Sequence, residues 1–233
     1  MDKLINQIHC VFLKFRVCAC CGSFLNSKAQ EERCLGILCY YCSAALQQSA
    51  LKNIVGGYNM KVFSLYDWRD KNYLLASKII RAFKCGGPEE LFYSVAEKMI
   101  IHSLQFCCAE ENKNLVFVPA PGKNLFGRDH AESLAFQLAK ITGGIYAPLL
   151  IRSGEKAQKL KSEKERKMET KLCLKPNAIE ALRQYKNQAS RIIFIDDIIT
   201  SGATAKSAFE TLGRPKNYMV WTIFHRPRLR RQL

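Results

Sequence analysis

Two adjacent carboxylates lie next to a hydroxyl-rich loop in the stretch RIIFIDDIITSGATA, from Arg191 to Ala205. Residues 192–195 are β-branched or aromatic without polar alternation, which is typical of a strand buried on both faces. We expect this strand to end at Ile195, with Asp196 and Asp197 directly beyond it. Their carboxylates could accept hydrogen bonds from sugar hydroxyls or help to hold a metal ion, so both aspartates are candidate catalytic residues.

The loop after the aspartates has the composition of a phosphate-binding turn. It consists of five small residues, Thr200, Ser201, Gly202, Ala203 and Thr204, and a helix is predicted to begin there. Backbone N–H groups at a helix N-terminus favour an anion, and glycine lets the backbone approach it closely. Phosphate and sugar recognition side by side indicates a sugar phosphate. The alternative is an ordinary strand–turn–helix connection, which requires neither an acidic pair nor a hydroxyl cluster.

The run FIDDIITSGAT resembles the 5-phosphoribosyl-1-pyrophosphate (PRPP) motif of type I phosphoribosyltransferases. The resemblance implies that Asp196 and Asp197 contact the ribose hydroxyls and that residues 200–204 surround the 5-phosphate of PRPP, which binds with Mg²⁺. A Walker A loop is excluded, because the glycines before Lys206 are not at the spacing which that motif requires.

Four cysteines near the start of the chain form two C-x2-C pairs, Cys18 with Cys21 and Cys39 with Cys42. The spacing predicts that each pair forms a knuckle, a tight turn whose two thiolates converge on a shared Zn²⁺. The zinc would be structural, because four protein ligands leave no open position for catalysis. Cys20 and Cys34 stay open as alternative ligands. A set of buried, inert cysteines is the competing interpretation.

Composition limits the remaining possibilities. The chain has 233 residues, 48% of them hydrophobic and 24% charged, which is typical of a globular protein. It contains no apolar run long enough to span a membrane and no secretory signal, so a cytoplasmic location is expected. The net charge of +16 favours an anionic partner, either a polyphosphate or a nucleic acid, although a lysine-rich solvated surface explains part of it.

Strands alternate with helices after the cysteine pairs, which predicts a parallel α/β sheet flanked by helices. We expect two domains, a zinc-binding segment with its connector at 1–58 and the α/β domain at 59–233. The connector is predicted over 44–61. Strands are predicted over 60–66, 115–118 and 219–224, with a short strand within 145–151, and helices are predicted over 73–83, 89–107 and 128–141.

Ligands bind such sheets beyond the carboxyl ends of the strands, so the loops after Val118, Ile151 and Ile195 are of interest. The first loop carries Lys123 and Arg128, and a generic turn with exposed cations explains it nearly as well. The second is a basic segment that either closes over pyrophosphate or forms a solvated helix. We take four cations of these loops as candidate pyrophosphate ligands: Lys123, Arg128, Lys159 and Arg166.

The layout of the chain is similar to the ComF/ComFC family, also seen in GntX-type proteins. VPAP at 118–121, GRDHAESLA at 127–135 and QKLKSEKERK at 158–167 match that family's blocks. The resemblance implies a type I phosphoribosyltransferase domain behind a zinc ribbon. It also implies a role in DNA uptake during natural transformation, with competence or recombination proteins as partners. A non-enzymatic protein that binds single-stranded DNA, partly through the basic tail 225–231, is the alternative. The loop after Val118 departs from the family, whose members often carry several arginines there.

Overall fold

The computed structural model describes residues 18, 20–23, 25, 38–50, 58–68, 72–84, 89–103, 114–122, 129–152, 172–188 and 190–226. The four candidate pyrophosphate ligands, Cys34 and the tail beyond Arg226 lie outside these residues. The described part is an α/β structure with a five-stranded parallel sheet flanked by helices. None of its helices is long and apolar enough to cross a lipid bilayer.

The parallel sheet places the strand of the acidic pair at its centre. In spatial order the strands are β1 (Lys61–Asp67), β7 (Tyr218–His225), β6 (Arg191–Ile199), β2 (Leu115–Pro119) and β3 (Ile145–Tyr146). A separate antiparallel pair consists of β4 (Leu150–Arg152) and β5 (Leu172–Leu174). The helices are α1 (Tyr40–Gln47), α2 (Tyr73–Lys84), α3 (Glu89–Ser103), α4 (His130–Thr142), α5 (Ala178–Asn187) and α6 (Ala203–Thr211).

Both faces of the sheet are covered, which explains the apolar run in β6. Ile193 and Ile195 pack with the buried residues of α2, α3 and α4. Ile192 and Phe194 pack on the opposite face with those of α5 and α6. A central parallel strand is buried on both sides, so apolar residues occupy consecutive positions and lose the usual alternation with polar ones.

The segment 145–151, predicted to carry one short strand, contains residues of two. The structure divides it into β3, in the parallel sheet, and β4, in the antiparallel pair. Pro148 separates them, and a proline has no N–H to continue a ladder of hydrogen bonds. The loop after Ile151 therefore does not follow a strand of the parallel sheet. β5 and α5 were not predicted.

The predicted connector over 44–61 is also partly structured. Its first residues belong to α1, and Ala50 bridges Tyr66 of β1. The Asp67 N–H donates to the Ser49 carbonyl over 2.8 Å. The segment after α1 thus docks on the edge strand of the sheet. The division into domains at residue 58 stays a prediction.

Candidate functional site

The acidic pair lies inside the central strand and not beyond its end. β6 continues to Ile199, in register with β7 through the pairs Asp196–Thr222 and Ile198–Phe224. The expected end at Ile195 is therefore wrong, because pairing with β7 continues the strand to Ile199. Successive side chains of a strand point to opposite faces. Two adjacent aspartates consequently meet two different environments.

Asp196 lies on the side of α6. It lines a small cavity of about 40 Å³ together with the loop at the start of that helix and with Val220 and Thr222 of β7. One of its carboxylate oxygens, Oδ1, accepts a hydrogen bond from the Asp197 N–H over 2.9 Å. Burial, reinforced by the neighbouring Asp197 carboxylate, raises the pKa of Asp196 well above its usual value. The fold thus keeps a carboxyl of high proton affinity next to the predicted phosphate loop.

The predicted phosphate loop, 200–204, joins β6 to α6. Gly202 adopts the left-handed conformation with φ of 72°, which glycine tolerates without steric cost, and α6 begins at the next residue. Gly202 offers no capping side chain, so the N–H groups of the first helical turn face the loop. The Ala203 N–H has only a long contact of 3.4 Å with Ser201 Oγ. This arrangement provides backbone donors and a helix dipole beside Asp196.

Tyr58 covers part of this loop. Its hydroxyl donates to the Thr200 carbonyl over 2.6 Å. A Cβ atom built on Gly202 would lie 2.8 Å from the Tyr58 ring. Glycine at this position therefore serves both the backbone conformation and the close approach of the tyrosine.

Asp197 lies on the opposite side of the sheet, toward α2 and α4. Its Oδ2 atom is 3.1 Å from Lys84 Nζ and 3.3 Å from His130 Nε2, and its Oδ1 accepts the Ile198 N–H over 2.9 Å. Burial acts against ionisation, but His130 and Lys84 outweigh it and hold the pKa of Asp197 well below its usual value. Both carboxylate oxygens are already engaged within the protein. We call His130, Asp197, Asp129 and Lys84 the acid–histidine cluster.

His130 links two carboxylates. Its Nε2 faces Asp197, and its Nδ1 contacts Oδ1 of Asp129, the N-cap residue of α4. Both ring nitrogens can donate at once only when the imidazole is protonated. Burial would lower the pKa of His130, yet the two carboxylates raise it to about 9. The two carboxylates therefore favour a half-buried, protonated His130 at neutral pH.

Sequence reasoning missed His130 and Lys84 as neighbours of the acidic pair. One signal was present: an N-cap aspartate followed by histidine opens the helix after β2, at the carboxyl edge of the sheet. Lys84 gave no comparable signal, because its position at the end of α2 depends on how that helix crosses the sheet.

A larger cleft opens at the same edge, where β1 and β7 end. Its volume is about 310 Å³. We call it the Trp68 cleft; it is lined by Trp68, Tyr73, Ser77, Ile80, Arg81, Lys84 and Arg226. Lys84 belongs to both this cleft and the acid–histidine cluster. Nearby, His225 Nδ1 lies 3.2 Å from Asp67 Oδ1 and joins the ends of the two strands.

The structure brings the four predicted metal ligands together. The sulfur atoms of Cys18, Cys21, Cys39 and Cys42 all lie within 4.8 Å of one another. Those of Cys21 and Cys39 are 3.6 Å apart. Sulfurs at about 2.3 Å from a tetrahedral zinc ion would be about 3.8 Å apart, so this cluster could hold such an ion. Cys20 is not part of the described cluster, and its carbonyl instead accepts a hydrogen bond from Lys78.

The two pairs differ in their local structure. The first forms the predicted knuckle: the Gly22 N–H donates to the Cys18 carbonyl over 2.9 Å, with Gly22 at φ of 77°. The second does not form a knuckle, because Cys39 is the N-cap of α1 and Cys42 lies in its first turn. The positive end of a helix dipole stabilises thiolates, so a helix start can replace the second knuckle.

Burial and hydrogen bonding act differently on the four thiols. Hydrogen bonds with Ser23 lower the pKa of Cys21 to about 6, whereas burial raises the pKa of Cys39 and of Cys42. Cys18 and Cys39 are buried within the same hydrophobic core as α2 and α3. A bound cation would stabilise all four in the thiolate form. Two ligands of the cluster, Cys18 and Cys39, thus belong to the core, while Cys21 is exposed.

No protein-family model matches the chain, and no curated protein matches it. The inference of function therefore depends on the sequence and the geometry of the site.

Proposed function

We propose that this chain binds PRPP and belongs among the phosphoribosyltransferase-like proteins of the ComF type. The observation that carries the proposal is the cavity that Asp196 shares with the loop 200–204 at the start of α6. A carboxyl for sugar hydroxyls and a helix N-terminus for phosphate are adjacent there, at the carboxyl edge of the central strand.

Each part of PRPP would meet a different group of residues. The first-turn amides of α6 and the hydroxyls of Thr200, Ser201 and Thr204 would bind the 5-phosphate. Asp196 would accept hydrogen bonds from the ribose hydroxyls. Asp197 would contact the ribose only if it gave up one of its ion-pair partners, since Lys84 and His130 both contact its Oδ2 atom.

The proposal extends to the pyrophosphate and the metal ions. Mg²⁺, when bound with PRPP, would neutralise the leaving pyrophosphate, assisted by four cations: Lys123, Arg128, Lys159 and Arg166. The four-cysteine cluster would hold a structural Zn²⁺, as in a zinc ribbon with a helix in place of its second knuckle. We also propose that the chain transfers the phosphoribosyl group to an acceptor. The acceptor is not identified.

The resemblance to ComF/ComFC also leads us to propose a role in DNA uptake. Single-stranded DNA and competence or recombination proteins are the proposed partners, and the net charge of +16 supports an anionic partner of this kind. If the chain lacks transferase activity, its PRPP site would serve regulation only.

Calorimetric titration with PRPP, with and without Mg²⁺, tests the proposal. We expect binding by the wild-type chain and at least tenfold weaker binding by the double variant Asp196→Asn/Asp197→Asn. The matched control is Glu210→Gln, which removes a carboxylate from the far end of α6. Equal affinities of the wild type and the double variant would exclude the ribose assignment, and absence of PRPP binding would exclude the proposed function.

A further inference from the structure

The Trp68 cleft presents a rigid, flat surface to a ligand. The guanidinium carbon of Arg226 lies 4.9 Å from the centre of the Trp68 ring and 5.5 Å from that of Tyr73. The backbone N–H of Trp68 donates to the His225 carbonyl over 2.7 Å, and the Trp68 ring packs against Phe224. Arginine stacked on aromatic rings in this way keeps a planar group in one orientation, and planar bases stack on such guanidinium and aromatic surfaces.

The cleft is strongly cationic. Arg81, Lys84 and Arg226 line it, and no carboxylate is among its described lining residues. Of the three, Lys84 has a carboxylate partner in the described part of the chain, Asp197, and its side chain is still half exposed. Three cations around one opening favour a ligand that carries a phosphate.

The size of the cleft limits the ligand further. A volume of about 310 Å³ is at the lower end of the range for small-molecule sites. It suits one flat ring with an attached phosphorylated sugar and leaves no room for several stacked bases. The cleft is also separate from the loop 200–204, since the two share no lining residue.

We propose that the Trp68 cleft binds a mononucleotide. The base would stack on the surface formed by Arg226 and Tyr73, and the phosphate would lie between Arg81 and Lys84. Ser77 and the Tyr73 hydroxyl are the polar groups available to the base edge. This proposal does not depend on PRPP binding, because it uses a different cavity.

Nucleoside 5′-monophosphates with each of the four common bases are the probes. The sequence contains two tryptophans, and of these Trp68 lines the cleft whereas Trp221 does not, so a ligand in the cleft should change the Trp68 fluorescence. We expect at least one monophosphate to quench Trp68 saturably, in the wild type and in Trp221→Phe. Calorimetry on the unaltered chain provides an independent affinity if the tryptophan variant does not fold.

Arg226→Gln should weaken this binding roughly tenfold, because stacking and one charged contact are lost. Arg214→Gln is the matched control: Arg214 is exposed and precedes β7, at the opposite end of the strand from Arg226. PRPP affinity is measured on the same variants. Loss of monophosphate binding with unchanged PRPP affinity would separate the cleft from the sugar-phosphate site.

Three results would overturn the proposal. The first is that no monophosphate binds. The second is that inorganic pyrophosphate binds as tightly as the best monophosphate, which would show that the base contributes nothing. The third is that a short single-stranded oligonucleotide quenches Trp68 while no monophosphate does, which would assign the cleft to a strand.

Discussion

The four-cysteine cluster and the acidic pair were both inferred from short spacings in the sequence, yet the fold brings the cysteines together and separates the two aspartates. All four cysteines converge within 4.8 Å, as their spacing predicts. The two adjacent aspartates, in contrast, separate to opposite faces of the sheet. Asp196 lines the cavity at α6, and Asp197 joins the acid–histidine cluster. A C-x2-C spacing dictates convergence in a turn or at a helix start, whereas neighbours in a strand are directed apart.

The difference shows what each pair requires from the rest of the molecule. The cysteine pairs need only local backbone geometry plus the docking of α1. Asp197 acquires its environment from Lys84 and His130, which are distant in the sequence and arrive on two separate helices. The chemistry of an acidic pair in a central strand is therefore decided by tertiary neighbours.

Loss of a cysteine ligand should have the largest effect. Cys39→Ser removes a buried ligand, so we expect loss of bound zinc and destabilisation by several kcal/mol, about 3 or more. Elemental analysis and thermal melting measure both. Cys173→Ser is the matched control, because Cys173 is exposed in β5. The Cys20→Ser variant should also retain the metal. Loss of the metal from Cys20→Ser would show that the proposed set of four ligands is wrong.

The two aspartates should differ in their effect on stability. Asp197→Asn leaves the His130 cation with one carboxylate fewer in a buried site, and we expect a loss of about 3 kcal/mol. Asp196→Asn should be neutral or stabilising at pH 7, because the folded state raises the pKa of this carboxyl and disfavours its charge. Denaturant unfolding measures both. Equal destabilisation by the two variants would contradict the assignment to different environments.

Protonation of His130 should make stability depend on pH. Its pKa is about 9 in the folded chain, above the ordinary 6.5, so its contribution is complete below pH 6.5 and is lost as pH rises through 9. We expect a loss of about 3 kcal/mol over this range, absent in His130→Gln. The control is His102→Gln, in the last turn of α3. A pH profile of unfolding that is unchanged in His130→Gln would refute the protonated state of His130.

Substitution of Gly202 should have a smaller effect on stability and a larger one on binding. Gly202→Ala introduces strain at positive φ and a contact with Tyr58, which we expect to cost about 1 kcal/mol and to weaken PRPP binding. Gly213→Ala is the matched control, since Gly213 also has positive φ and follows α6 at its other end. It should cost similar stability and leave PRPP affinity unchanged. Equal PRPP affinities in the two variants would argue against the loop as the phosphate site.

Much of the parallel sheet could be predicted from the sequence. The apolar runs of β1, β2, β6 and β7 and the helical periodicity of α2 are strong local signals, and the structure confirms these elements. The start of a helix within the loop 200–204 is confirmed as well. These features depend on patterns within a few residues, which a single sequence contains.

Other features depend on contacts between distant segments. The end of β6 was placed too early because pairing with β7 extends it, and no local signal marks the extra residues. The short strands β4 and β5 stabilise each other across a separation of about twenty residues and have weak patterns alone. Contact of Lys84 and His130 with Asp197 likewise requires the complete packing of two helices on the sheet.

Hydrogen exchange of the loop 200–204 tests the central claim most directly. PRPP with Mg²⁺ should slow exchange of the backbone amides at the start of α6, because the phosphate would accept their hydrogen bonds. The segment 145–150, which includes β3, serves as the internal reference and should be unchanged. Protection of 200–204 by PRPP, lost in Gly202→Ala, is the predicted result. Unaltered exchange in this loop at saturating PRPP would contradict the account.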